Sequence, residues 1–178
     1  STLEPERGAG TGTLVEPTPQ LSHGDGDHER YAHYVQKDKI MASALEGKLE
    51  EFAQAESRDG GKPIALARDV EIPRAVSNLR FFAAAALQFS SESHQGEAGL
   101  NITLRQPLGV VGCISPWNLP LYLFTWKLAP ALAAGNCVVA KPSEITPLSA
   151  WMLGEVMVEI GFPAGVLNIV QGHGHECG

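Results

Sequence analysis

Cysteine is scarce and its spacing is unpaired: Cys113, Cys137 and Cys177 are the only three in 178 residues. That excludes a disulfide framework of the secreted kind and, with no secretory leader recognisable, the reading expects a reducing compartment, the cytoplasm by default. Positive charge is also short. Lys and Arg number 13 against 20 Asp and Glu, a formal charge of -7, which removes the electrostatic case for nucleic acid or an anionic membrane surface as a partner. The apolar segment 119–134 is too short to span a bilayer and is interrupted by Lys127, Pro120 and Pro130.

What is present concentrates between residues 109 and 144. Gly109–Ile114 is a nearly continuous apolar run rich in β-branched residues, as expected of a strand covered on both faces, and it stops at Pro116. Leu119–Ala134 is apolar on all sides with Gly135 just beyond, which predicts a buried helix closed by a glycine; Pro130, lacking a donor amide, should kink or split it. Asn136–Lys141 reads as a second strand. Thr146 and Pro147 offer an N-cap and a proline at the first helical position, followed by Leu148, Met152, Val156 and Ile160 at i+4 steps. Gly161 and Pro163 stop that helix, and Val166–Val170 makes a third strand. The expected class is therefore α/β, a parallel β-α-β-α-β half of a doubly wound, Rossmann-like sheet.

In such sheets ligands bind outside the carboxyl ends of the strands. Asn118, Lys141 and Glu144 fall at strand ends or helix starts and would face one crevice, in a region where Lys127 is the sole charge between residues 106 and 140. The bland reading stays open beside this one: Asn118 caps a helix, Lys141 snorkels and Glu144 is a solvated loop charge. Gly172 and Gly174 stand where a phosphate-cradling turn would follow the third strand.

Upstream, residues 1–30 are rich in Ser, Thr, Gly, Pro and acids and read as a disordered tail. Its His23–Glu29 cluster lacks the spacing of a calcium loop. Helices are expected over 32–57 and 69–89, the latter with Pro73 able to break its start, and Leu100–Arg105 alternates as a strand. His173, His175 and Cys177 lack a fourth ligand for a closed zinc site, so no metal is expected. Three strands leave an apolar sheet face and a strand edge bare, so poor solubility or obligate association is expected.

Several motifs, in order and correctly spaced, resemble the NAD(P)-dependent aldehyde dehydrogenase superfamily: Pro116-Trp117-Asn118 with Pro120, Trp126-Lys127, Pro130 to Asn136, Lys141-Pro142-Ser143-Glu144, and Gly161-Phe162-Pro163 followed by Gly165-Val166 and Asn168-Ile169-Val170. Ile114 to Leu123 with Thr125-Trp126-Lys127 is most similar to the aminomuconic and hydroxymuconic semialdehyde dehydrogenases. The resemblance implies that Asn118 donates its amide to the oxyanion, a role worth on the order of 3 kcal/mol where such donors have been removed. It implies that Lys141 and Glu144 hold the adenosine ribose, with Pro142 and Ser143 in the same turn, and that the carboxylate disfavours a 2′-phosphate, so NAD is the expected cofactor. Ile114, Ser115, Pro116 and Trp117 would line the cofactor cleft, Trp117 serving equally as core packing. Lys127 resembles a lysine near the active site and is otherwise a structural lysine on a buried helix. A small aldehyde is the implied substrate and a homo-oligomer, or association with full-length subunits, the implied assembly.

The match has one gap. The family oxidises aldehydes through a cysteine thiolate and a glutamate base. None of the three cysteines has the nucleophile's context, and the glutamate-leucine-glycine-glycine-lysine segment is missing from these 178 residues. Cys113 and Cys137 read as small core residues. The expected organisation is a tail over 1–30, helices and a strand leading to the oligomerisation region over 31–105, and the first half of the NAD-binding domain over 106–178, with the catalytic domain absent. A non-catalytic nucleotide-binding or interaction module is the rival reading. The isolated chain is accordingly expected to reduce no NAD with any aldehyde; NADH absorbance checks this, and steady turnover by pure material would contradict it.

Overall fold

The structure, a computed structural model, describes residues 26–177. The chain runs through two helices, α1 (Gly26–Gly47) and α2 (Leu49–Gly60), then a helical stretch made of α3 (Ile64–Leu66), a π turn (Ala67–Glu71) and α4 (Ile72–Ala86). A hairpin of β1 (Ser93–Gly96) and β2 (Gly99–Ile102) follows. The remainder is β3 (Val110–Ile114), α5 (Pro120–Ala133), β4 (Cys137–Lys141), α6 (Leu148–Glu159), β5 (Leu167–Ile169) and the short α7 (Gly174–Cys177). Strands β3, β4 and β5 are parallel neighbours in that order, with Ile114 opposite Lys141 and Ala140 opposite Ile169. The α/β half-sheet expected from the sequence is the architecture observed.

Period-two alternation gives this sheet two unlike faces. Cys113, Val138 and Ala140 are buried in the core, among side chains that include Leu121, Phe124, Leu128, Leu132, Leu153 and Val156 of α5 and α6. On the opposite face Val110 is 71 % exposed, Ile114 59 % and Val139 37 %. Those strands read as continuously apolar because both faces are apolar, yet within residues 26–177 helices cover only one. The core extends into Met41, Leu45, Phe52, Ile72 and Leu79, which bring α1, α2 and α4 onto the same side.

Several boundaries depart from the sequence reading. Of the expected tail, residues 1–25 and the histidine cluster's first residues lie outside the described residues, while Gly26 to Arg30 already belong to α1. The single helix expected over 32–57 is two, parted at Lys48. Pro73 does not interrupt the helical stretch: it stands directly after the π turn, and the backbone stays helical through Glu71 and Ile72 into α4. Pro130 does not divide α5 either: the helix runs on to Ala133 and closes with Ala134 N–H on the Pro130 carbonyl at 3.0 Å. The strand expected over 100–105 is one arm of a hairpin whose strand residues, Leu100 and Ile102 among them, are all exposed. Thr146 does not cap α6. Pro147 takes the cap position, Thr146 Oγ1 is buried without a partner among the described residues, and the helix start is satisfied from α2 instead, through Asp59 Oδ2 accepting the Leu148 N–H at 2.8 Å.

One acidic residue interrupts the core. Asp38 on α1 is fully buried, neither carboxyl oxygen has a hydrogen-bond partner among the described residues, and desolvation pushes its pKa from 3.8 up to about 8. The folded chain then holds a proton that the unfolded chain releases, so Asp38 withdraws stability progressively as pH rises from about 4 to about 8. Asp38→Asn is expected to remove that slope. Urea unfolding of both proteins at about pH 5 and about pH 8 checks it: the stability of the parent relative to the variant should fall with pH, and a constant difference would contradict the assignment.

Candidate functional site

The ends of β3 and β4 lie side by side. The ladder continues one step past β3, with Ser115 N–H donating to the Lys141 carbonyl at 3.1 Å, so the turns after both strands open at the same sheet edge. There a crevice of about 420 Å³ is lined by Ile114, Ser115, Pro116, Trp117, Lys141, Ser143, Glu144, Ile145 and Gly174. Seven of the cofactor residues expected from the sequence meet in it on the two strand-end turns, and Gly174 joins them from α7.

Its electrostatics are set by a local pair. Lys141 is 4 % exposed, and its Nζ donates to the Pro142 carbonyl at 3.1 Å and to Glu144 Oε2 at 3.3 Å. The Glu144 carboxyl lies below the usual carboxylate range, first because of its own backbone N–H and then because of Lys141. Ser143 Oγ accepts the Ile145 N–H at 3.3 Å, which folds the turn tightly and leaves Glu144 exposed at the rim. Ser115 is buried, and its Oγ has no hydrogen-bond partner among the described residues. An ammonium fixed against a carboxylate, beside an unpaired hydroxyl, is a donor and acceptor set suited to vicinal hydroxyls of a ligand.

Asn118 stands outside the lining, between Trp117 and the start of α5. It is exposed and makes no hydrogen bond among the described residues, and it is not the cap, because Leu119 occupies that position without a side-chain bond. Lys127 is exposed on α5 rather than buried. Pro142 contributes its carbonyl to Lys141 and not a wall. Gly172 does not line the crevice; it has φ +150°, and a Cβ there would meet Cys177 Sγ at 2.8 Å. In the described arrangement the Cys177 thiol lies on the side where a Gly172 side chain would stand.

The sequence reading missed what supports these turns. Glu56 on α2 is 1 % exposed and its Oε1 accepts the Leu121 N–H at 3.0 Å and the Ser149 hydroxyl at 2.6 Å, while Oε2 takes Lys62 Nζ at 2.9 Å. Glu71, on the π turn, also pairs with Lys62. Although burial opposes it, these two carboxylates raise the Lys62 pKa and keep it charged. The one signal available was an acid on the apolar face of α2, four residues after Phe52. The sequence reading also passed over Arg74, whose Nη2 donates to Tyr122 Oη at 2.7 Å with the guanidinium 3.9 Å from the ring centre.

Comparison with known proteins decides the family. The profile described as "Aldehyde dehydrogenase family" matches residues 34–178. The chain belongs to the aldehyde dehydrogenase family. It is 56 % identical over 140 residues to a 2-aminomuconic semialdehyde dehydrogenase of Homo sapiens, covering 78 % of this chain and 29 % of that protein. With a 2-hydroxymuconic semialdehyde dehydrogenase of Pseudomonas sp. (strain CF600) it shares 48 % over 141 residues, 76 % of this chain and 29 % of the relative. Among solved structures, PnpE in complex with nicotinamide adenine dinucleotide is 44 % identical with a TM-score of 0.79, over 82 % of this chain and 30 % of that one. An NAD+ complex of an aldehyde dehydrogenase from Bacillus cereus gives 39 % and 0.79 over the same shares. The chain thus spans about 29 % of the length of these curated relatives.

The three thiols differ in environment. Cys113 is buried, its Sγ 3.8 Å from the Lys127 carbonyl, and desolvation raises its pKa against the opposing charge of Lys127; Cys177 is exposed. Iodoacetamide at mildly alkaline pH is expected to modify Cys177 first and Cys113 last in peptide mass mapping. Preferential labelling of Cys113 would mark it as an activated thiol and contradict its place in the core.

Proposed function

We propose that this chain supplies the adenosine-ribose edge and the oxyanion donor of an NAD-dependent aldehyde dehydrogenase that converts a carboxylate-bearing, muconic-type semialdehyde to the acid. The observation that carries the reading is the Lys141–Glu144 pair at the rim of the strand-end crevice. Glu144 would accept from the two ribose hydroxyls, Lys141 would donate to one, and the fixed negative charge would repel a 2′-phosphate, which favours NAD over NADP. Ile114, Pro116, Trp117 and Ile145 offer an apolar wall to the adenine side, and the unpaired Ser115 hydroxyl is the polar group left over for the ligand. NAD would supply the hydride acceptor. The residue of this chain that would touch the reacting carbonyl is Asn118, whose unengaged amide can donate to an oxygen gaining negative charge.

Support for an acidic substrate comes from Arg74. Its guanidinium pairs with no carboxylate among the described residues and is held over Tyr122, one helical turn beyond Asn118. A cation so placed can receive the distal carboxylate of a semialdehyde while the aldehyde end meets Asn118. The relatives named for muconic semialdehydes support the same class. The second reading, a module that binds nucleotide or associates with complete subunits without turning over, is favoured by the exposed sheet face of Val110, Ile114 and Val139 and by the exposed hairpin.

The ribose assignment fixes an outcome. Glu144→Ala should weaken NAD binding to the chain by roughly tenfold, the scale of one charge-assisted contact, and should narrow the preference for NAD over NADP. Titration calorimetry with both dinucleotides checks it, and an alanine variant that binds NAD unchanged would remove Glu144 from the site.

A further inference from the structure

The two turns that build the crevice are each followed by a helix start, and both helix starts end on one side chain that lies outside the crevice. Leu121, whose N–H reaches Glu56, is three residues past Asn118; Ser149, whose hydroxyl reaches the same Oε1, is five residues past Glu144. Asp59, on the same helix, holds Leu148 as well. Leu119 and Pro147, the residues in the cap positions of α5 and α6, make no side-chain capping bond. The positive ends of two helix dipoles and the Lys62 ammonium therefore converge on one buried carboxylate.

We propose that Glu56 is a positioning residue for the site, setting the separation between the Asn118 turn and the Lys141–Glu144 turn by bridging α5 and α6 through a single oxygen. The inference rests on the ribose and oxyanion reading above for its functional meaning. Its geometry is independent of that reading. Because the Leu121 N–H and the Ser149 hydroxyl both donate to Glu56 Oε1, at 3.0 and 2.6 Å, the starts of α5 and α6 are tied through one atom, which limits how far the two turns can move apart before any ligand arrives. The Lys62–Glu71 pair fastens the carboxylate from behind, with the π turn placing Glu71. A merely structural ion pair would lower stability when broken and leave affinity alone.

The test compares the full chain with Glu56→Ala, Glu56→Gln and Ser149→Ala, measuring thermal stability, amide exchange and NAD affinity by tryptophan quenching. Glu56→Ala is expected to weaken NAD about tenfold and to speed exchange at Leu121 and Leu148 together, and Glu56→Gln, which keeps an acceptor oxygen, should recover most of both. Ser149→Ala removes only the α6 arm and decides the matter if Glu56→Ala does not fold. It should loosen Leu121 as well as Leu148 and weaken NAD roughly threefold. Variants that lose stability yet bind NAD like the parent overturn the proposal, as does Ser149→Ala loosening α6 alone. Should the parent chain bind no NAD, the ribose reading fails, and the exchange results alone then judge the bridge: joint loosening upholds it, separate or absent loosening overturns it.

Discussion

A carboxylate carried out of water costs several kcal/mol unless donors replace its hydration, and Glu56 has three: a main-chain amide, a hydroxyl and an ammonium. Each comes from a different part of the chain, so satisfying this one group brings α2, α5, α6 and the Lys62 loop to fixed places. Removing Lys62 would leave that charge buried without its counter-ion, and removing the hydroxyl or the amide would cost it one of its three donors. The side of the molecule where helices meet the sheet is organised by that requirement as much as by apolar burial, which is non-directional and would tolerate sliding of one helix along another. Asn136 does related work at the far end of the strands. It is buried, its Oδ1 accepts the Gly109 N–H at 3.1 Å and its Nδ2 donates to the Ala131 carbonyl at 3.0 Å, so the start of β3 is fastened to the end of α5.

Between those two fastenings lie strands with one covered and one bare face. The covered face joins the core through Cys113, Val138 and Ala140, and the bare face presents Val110, Ile114 and Val139. Parallel strands with both faces apolar occur where both are buried. The exposed side is thus a surface that water does not favour, and the hairpin residues Leu100 and Ile102 are exposed as well.

Much of this was legible from residues alone because its causes are local. The strand–helix alternation, the ends of α5 and α6 near Gly135 and Gly161, and the meeting of Ile114 to Trp117 with Lys141 to Glu144 all follow from period, punctuation and the rule that parallel strands end on one edge. The errors share the opposite character. Thr146 looked like a cap and lost that place because α2, almost ninety positions earlier in sequence, brought Asp59 to the same amides. Pro130 looked like a break, but close to a helix end it leaves little ladder to disrupt. Asn118 as a cap was displaced by Glu56. For Thr146 and Asn118 a contact distant in sequence satisfied a group that sequence reasoning could assign only to a neighbour.

That displacement bears on chemistry. Were Asn118 the cap of α5, its amide would be turned toward its own backbone and poorly placed to meet a substrate oxygen. Because Glu56 takes the Leu121 N–H, the asparagine side chain is released from that duty while the turn that carries it stays anchored three residues on. The same division appears at the other turn, where Asp59 and Ser149 anchor α6 and Glu144 remains at the rim, held by Lys141. Anchoring by residues outside the crevice leaves the groups inside it with unspent hydrogen-bonding capacity, and unspent capacity held in fixed positions is what preorganised recognition requires. The buried Lys141 ammonium completes the argument. It has three N–H donors and two protein acceptors in reach, so a third acceptor, such as a ligand hydroxyl, would satisfy it without displacing either.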